Sequence, residues 1–313
     1  MFVVIFHLIG LLLMSKIQTI AVSDLSKSYA VAKGSFGKKE FFKALENISF
    51  SLFEGETLAV LGESGAGKST LAKVLVGAES PSSGKLIMTG KDIFEDSATG
   101  QLSRHYKIRM VYQDPYASLN PQLSINSLFD EPLRNFTQLD KAERKIRIVE
   151  VLNLVGLKSE HGRRLPHMFS AGERQRIAIA RALILDPLCI VLDEPLSSLD
   201  ISVQSQIVNL LLKLQKDLGL SYILITYNLS VIKHMSDQLM ILCKGQMVEY
   251  GPTQDILDNP LHPYTKDILN KKTKILTTDD SKDADTVRCV YCDRCSKASD
   301  ICHSKKPEKQ LIN

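Results

Sequence analysis

The sequence predicts an α/β fold with a mainly parallel sheet, and three observations carry that prediction. Short apolar runs of strand character alternate with stretches of helical periodicity. One run, Thr57–Leu61, passes straight into a Gly-rich loop and then a helix. Another, Leu188–Leu192, is continuously apolar, as in a strand covered on both faces of a parallel sheet.

The 313 residues are 44% hydrophobic and 24% charged, which is ordinary globular composition. That length accommodates one large α/β domain with a small appendage, or two domains. A net charge of +4 is too slight to mark nucleic acid as the main partner. Residues 1–14, MFVVIFHLIGLLLM, are almost wholly apolar, but Lys16 ends the run short of the roughly 20 residues a membrane span needs. They lack the basic start and small-residue cleavage site of a signal peptide. Met14-Ser15-Lys16 reads as a start, so residues 1–14 are taken as an over-extended reading frame, with a weak membrane anchor as the alternative. No other stretch is apolar for long enough to span, so any pore must come from other chains.

In chain order, residues 19–29 and 42–53 have strand patterning and flank the turn GSFGKK. After the strand Thr57–Leu61, Ser69–Gly77 reads as a helix. Residues 122–165 are mixed helical, with a period near 3.6 in KAERKIRIVEVLNLVGL, and 170–185 form a second helical pattern. A helix over 201–217 and a strand over 221–226 follow the 188–192 strand. Strands 238–243 and 246–250 turn at Lys244-Gly245, and short helices cover 253–258 and 263–270. The polar stretch 271–288 reads as a linker. The chain thus divides into 1–14, a main domain over 15–270, the linker, and a Cys-rich module over 289–313. No internal repeat is evident.

Gly62, Glu63, Ser64, Gly65, Ala66, Gly67, Lys68, Ser69 and Thr70 match the phosphate-loop pattern G-x-x-x-x-G-K-[ST], after a strand and opening a helix. Its glycines let backbone N–H groups point at phosphate, reinforced by the helix N-terminus. Lys68 supplies a cation for the β- and γ-phosphates, and the Ser69 hydroxyl suits Mg²⁺. At the end of the 188–192 strand, Asp193 is placed to hold Mg²⁺ through water, and Glu194 to polarise the attacking water. A Gly-rich turn without ligand and a solvated acidic turn are the plain alternatives. Neither explains the flanking strands.

Four further stretches resemble the ABC transporter ATPase family. Phe169-Ser170-Ala171-Gly172-Glu173 and the run to Leu183 look like the signature motif and its helix. Val111 to Pro121, containing Gln113, resembles the Q-loop of peptide importers. Ser197 to Asp200 resembles the D-loop, and Tyr29 matches the aromatic that stacks on adenine. The resemblance covers residues 17–270 and implies a P-loop ABC nucleotide-binding domain with an antiparallel β subdomain and a helical signature subdomain around 115–180. It also implies ATP and Mg²⁺ as ligands, with Gln113 among the Mg²⁺ ligands. Two such domains pair head to tail, so Ser170 and the Gly172 backbone would face the partner's γ-phosphate. The stretch Tyr250–Tyr264 is similar to the segment after the core in dipeptide and oligopeptide importer ATPases. His167–Phe169 and Val231–Gln238 resemble the antimicrobial-peptide-uptake branch. The implied assembly is a second ATPase subunit in a heterodimer, two permease subunits and an extracytoplasmic peptide-binding protein, with this chain peripheral on the cytoplasmic face of the membrane. Peptide is the implied cargo, and nickel or another small solute the alternative.

The sequence also departs from the family. Thr226-Tyr227-Asn228-Leu229 stands where Thr-His-Asp-Leu is usual, so a phenol replaces the switch imidazole. Ala171 and Glu173 stand where Gly and Gln are common. These changes raise a second function: a regulatory subunit that binds ATP and completes its partner's site while turning over little itself. A soluble ABC ATPase of translation or DNA repair is a third, opposed by the single cassette and the importer-type C-terminal segment.

Of six cysteines, Cys189 and Cys243 lie in apolar runs as small buried hydrophobes. Cys289, Cys292, Cys295 and Cys302 cluster near the C-terminus. Their spacing resembles the Cys-rich extension of peptide importer ATPases. It suits a [4Fe–4S] cluster, with a zinc site including nearby His303 as rival, or a tail of reduced thiols.

Overall fold

A computed structural model describes residues 17–33, 38–94, 107–270, 288–305 and 307. The apolar segment 1–14, the centre of the GSFGKK turn and linker residues 271–287 lie outside the described residues. Strands β1 (Gln18–Lys33) and β2 (Lys38–Phe53) pair antiparallel. β3 (Thr57–Leu61) leads through the Gly-rich loop into α1 (Lys68–Leu75). β4 (Ser83–Met88) and β5 (Lys91–Asp92) complete a four-stranded antiparallel sheet of order β2-β1-β4-β5.

β6 (Ile108–Val111) is followed by four helices: α2 (Pro115–Ser118), α3 (Ile125–Phe136), α4 (Lys141–Leu154) and α5 (Ala171–Leu183). Then come β7 (Cys189–Asp193), α6 (Ile201–Leu218), β8 (Ser221–Ile225), α7 (Leu229–Met235), β9 (Gln238–Cys243) and β10 (Gln246–Pro252). α8 (Thr253–Asp258), α9 (Pro263–Leu269) and the short α10 (Asp300–Ser304) end the described chain. The second sheet has the order β10-β9-β3-β8-β7-β6. Its β6, β7, β8, β3 and β9 are parallel, and β10 folds back antiparallel.

The apolar strand runs are explained by burial on both faces. In β7, Ile190 and Leu192 face the helical side of the core while Cys189 and Val191 face the antiparallel sheet. β8 divides likewise, with Tyr222 and Leu224 opposite Ile223 and Ile225. Cys189 and Cys243 are both buried in these layers, so each packs as a hydrophobe.

Helix starts follow the local chemistry. Ser124 caps α3, and Asp140 forms a capping box with Glu143 at α4. Residues 122–165 resolve into α3, α4 and the 3₁₀ turn Ser159–Arg163, and a second 3₁₀ turn, Pro166–Met168, follows. The apolar stripe of α4 is narrower than its sequence implies: Ile148, Val151 and Leu152 are buried, while Ile146 stays exposed. Strands β4, β5 and β6 have no counterpart in the sequence reading. Among the described residues no helix is long and apolar enough to cross a membrane.

Candidate nucleotide site

Adjacent parallel strands deliver the site residues at their carboxyl ends. The Gly-rich loop follows β3, Tyr227 follows β8, Asp193 and Glu194 follow β7, and Gln113 follows β6. This is where open α/β sheets bind ligands.

The loop is wedged tightly from behind. A side chain on Gly62 would meet the Leu242 carbonyl oxygen at 2.3 Å. Gly67 has φ of +103°, and a Cβ there would lie 2.6 Å from the Ala44 oxygen. The N-terminus of α1 opens at Gly67 with no side-chain cap, so its N–H groups are free for an anion. Ser64 is exposed on the loop and Ser69 in the first turn of α1.

Lys68 is only 6% exposed. Its Nζ donates to the carbonyl oxygens of Gly62 and Glu63 at 2.6 and 2.8 Å and to Tyr227 Oη at 2.5 Å. The ammonium also lies 4.4 Å from the Tyr227 ring centroid. None of these partners is an anion. Burial lowers the Lys68 pKa to about 8, against the pull of Glu194 and Asp193. A buried ammonium held by neutral oxygens fits a phosphate ligand, so the loop residues suit ATP. Burial and the nearby Glu194 raise the Asp193 pKa, and Lys68 and Lys73 offset this only in part. Asp193 and the exposed Ser69 together offer hard oxygen ligands that suit Mg²⁺.

Glu194 has φ of +45°, a left-handed conformation that is strained for a non-glycine residue. Its N–H donates to the Ile225 oxygen at 2.9 Å, which ties it to β8. Gln113 Nε2 donates to Glu194 Oε2 at 2.9 Å. The Tyr227 phenol is pushed up to about 12 by burial and by the charges of Glu194, Asp193 and Glu63. It therefore keeps its proton at neutral pH. Because it accepts from Lys68, that proton is free to be donated. Asn228 caps α7, accepting from the N–H groups of Ser230 and Val231 at 3.1 and 3.3 Å, so its place is explained by the helix start.

The remaining predicted residues fall in three places. Tyr29 lies on β1 near Thr70, its hydroxyl bonded to Glu79. Lys27 and Lys73 also pair with Glu79, each at 3.6 Å. Glu79 escaped the sequence reading because it belongs to no motif. Ser170 caps α5 in a capping box: its Oγ accepts from Glu173 N–H at 3.3 Å, and Glu173 Oε2 accepts from Ser170 N and Oγ, both at 2.9 Å. The unexpected carboxylate of Glu173 is thus a cap. It holds the Ser170 groups that an anion would otherwise approach. A Cβ on Gly172 would lie 2.7 Å from Val203 Cγ1, so this glycine lets α5 lie close to α6. Asp200 starts α6 without a side-chain cap bond, leaving its carboxylate outward.

Glu63 differs from the expectation. Its N–H donates to Tyr264 Oη at 2.9 Å, and its carboxylate accepts from Arg294. Neither group is open to phosphate.

The expected metal site at the four cysteines finds no support. Among the described residues the one set of ligand atoms within 4.8 Å of one another is Cys292, Asp293 and His303, and Cys289, Cys295 and Cys302 stand outside it. Cys289 and Cys295 pack against the core cluster that contains Tyr264 and Tyr291, and Cys289 stays near enough to Cys292, Cys295 and Cys302 to feel their charge. Cys302 lies 3.4 Å from Ser299 Oγ. Arg288 already serves the remaining set, donating to Asp293 Oδ1 at 2.8 Å and facing Cys292 Sγ at 3.8 Å. The set within 4.8 Å lacks three of the four thiols, so a Cys₄ zinc site is not supported, and no observation supports a [4Fe–4S] cluster.

Phosphate loop, buried lysine, paired carboxylates and a capped signature helix on one sheet define an ABC-type ATPase. Residues 45–197 match the ABC transporter family model, and 248–302 match the oligopeptide/dipeptide transporter C-terminal region. The chain is 44% identical over 294 residues to the dipeptide transport ATP-binding protein DppF of Haemophilus influenzae, with 90% of each covered. It is 46% identical to DppF of Escherichia coli over 83% of this chain and 78% of that protein. SapF of Escherichia coli K12, named a putrescine export ATP-binding protein, is 43% identical over 79% of this chain and 91% of its own length. Among solved structures, cbiO1 of Clostridium perfringens aligns with TM-score 0.67 and 28% identity, covering 78% of this chain and 92% of that one. This chain belongs to the ATP-binding subunits of ABC transporters, in the oligopeptide/dipeptide transporter family.

Proposed function

We propose that the chain is one of two unlike ATPase subunits of a peptide importer. It works at the inner face of the membrane with two permease subunits, and an extracytoplasmic binding protein delivers the peptide. The observation that carries the peptide cargo is the 248–302 segment, which matches a region typical of oligopeptide and dipeptide transporters. The cargo never touches this subunit, which explains how relatives equally similar to it can be named for putrescine export or for peptide transport. A groove of about 410 Å³ beside β6, lined by Val76, Met110, Tyr112, Phe136 and Arg181 among others, is open to a permease helix.

In this proposal Lys68 and the α1 N-terminus hold the β- and γ-phosphates, and Tyr29 stacks on adenine. Ser69, Gln113 and Asp193 would hold Mg²⁺, which neutralises phosphate charge when bound. Glu194 orients and polarises the attacking water, with Gln113 fixing its carboxylate. Tyr227 donates one hydrogen bond to the γ-phosphate, a weaker aid than an imidazolium. Ser170, Gly172 and Asp200 act on the ATP of the partner subunit. Affinity purification of the tagged chain from its own membranes tests the assembly. Co-purification of a different ATPase and two permeases is expected, and a homodimer without permeases overturns it.

A further inference from the structure

Among the described residues, one side-chain pair hydrogen-bonds the C-terminal module to the nucleotide loop. Arg294 ends the 3₁₀ turn Cys292–Arg294. It donates to both carboxylate oxygens of Glu63 at 2.8 and 2.9 Å. Such a two-pronged guanidinium–carboxylate contact fixes orientation as well as distance. The pair is sheltered, with side-chain exposures of 25% and 18%.

Both ends are braced. The Arg294 guanidinium lies 5.5 Å from the Tyr291 ring centroid. Tyr291 packs edge-on against the buried Tyr264 at 5.1 Å and bonds Asp267 Oδ2 at 2.5 Å. Tyr264 in turn accepts the Glu63 N–H. On the loop side, the Glu63 carbonyl accepts from Lys68 Nζ at 2.8 Å and from Ala66 N at 3.1 Å. A contact path therefore runs from the Cys-rich module through Glu63 to the phosphate-binding ammonium. Charge points the same way. Without Arg294, Glu63 would present an unpaired carboxylate inside a loop built for a triphosphate.

We propose that Arg294 is a positioning residue for ATP: by holding and neutralising Glu63 it pre-sets the loop, so that nucleotide binding and the folded C-terminal module stabilise each other. Such coupling is reciprocal. It rests on the ATP site described above.

The test measures MgATP affinity of the full chain by calorimetry, with hydrogen exchange at residues 288–305 with and without nucleotide. Arg294→Ala should weaken binding about threefold to tenfold, the low end expected of a single partly screened contact. Arg294→Lys should recover part of the loss by restoring the charge. Glu63→Gln reads the same contact with the module sequence intact. ATP should slow exchange at 288–305 in the unmodified chain and much less in Arg294→Ala. Wild-type affinity in Arg294→Ala overturns the proposal, as does exchange at 288–305 that ignores ATP in the unmodified chain. Lys68→Ala separates the two layers. If it loses ATP binding while Arg294→Ala does not, the ATP site stands and only the latch falls.

Discussion

At the scale of single residues, Lys68 is the most exposed to pH. Its ammonium is kept from water and given only neutral partners, which lowers its pKa to about 8. Phosphate oxygens beside it would raise that value again, so binding takes up a proton wherever the free lysine has lost one. The sign follows: affinity for MgATP is flat below the free pKa and falls as pH rises through it. Titrations from about pH 7 to about 9, spanning the pKa of about 8, should show Kd rising and steepening towards tenfold per pH unit. Lys68→Arg should flatten the slope whatever its absolute affinity, because guanidinium does not deprotonate in this range. A wild-type slope in that variant would assign the titration to another group. The Gly-rich motif, Asp193 and Glu194 were legible in the sequence, because each is a residue type fixed at a spacing. The Lys68–Tyr227 contact was not. It spans 159 positions and exists only because β3 and β8 are neighbours.

At the scale of elements, α5 shows how a helix start can be half read. Ser170 and Gly172 stand out from sequence as an anion-binding end, yet Glu173 looked like a misplaced charge. In the folded chain it closes a capping box, a pattern visible in Ser-Ala-Gly-Glu once the helix start is fixed. Gly172 has a packing reason beside any nucleotide role, since α5 approaches α6 within 2.7 Å of its missing Cβ at Val203. Gly172→Ala should therefore destabilise the fold by about 1–3 kcal/mol through overpacking. Val203→Ala in the same chain should return most of it by making room. Denaturant melts of the four variants check this, and simple additivity of the two changes would show that the glycine is not held by Val203. β6 and β4 were missed for the opposite reason. Ile-Arg-Met-Val is short and interrupted by a charge, and only two of the six positions of β4 are buried, so neither offers a full period.

At the scale of the whole molecule, sheet order was beyond the sequence. Apolar runs mark strands, but nothing in them says that β3 lies between β8 and β9. The tail is a similar case. Cysteine spacing suggested a four-thiol ligand set, whereas among the described residues the one set of ligand atoms within 4.8 Å is Cys292, Asp293 and His303. Pairing of two cassettes brings a further consequence. In the proposed heterodimer this chain would give Lys68, Asp193 and Glu194 to one ATP and Ser170 and Gly172 to the other, so a switch weakened at Tyr227 would affect only the first. A major transition-state contact is worth roughly 10²–10³ in rate. Glu194→Gln in this chain should then lower steady-state ATPase of the complex only modestly. The equivalent change in a partner with an intact switch histidine should nearly stop it. Equal, near-complete loss from either change would show that Tyr227 serves the chemistry adequately.

The glycines at the back of the phosphate loop set the mutational tolerance of this region. Gly67 is pressed against β2 at the Ala44 oxygen, and the Lys244-Gly245 turn is threaded into the same junction. There Gly245 N donates to the Ala66 oxygen at 2.9 Å and Gly245 O accepts from Glu46 N at 2.8 Å. Three backbone segments thus cross with room for a hydrogen atom and nothing more, while Ser64 lies exposed on the outer lip. Random substitution across the loop would leave a lopsided record. Ser64 would accept many side chains, whereas Gly62, Gly67 and Gly245 would accept none, in variants selected for folding alone and before any selection for ATP.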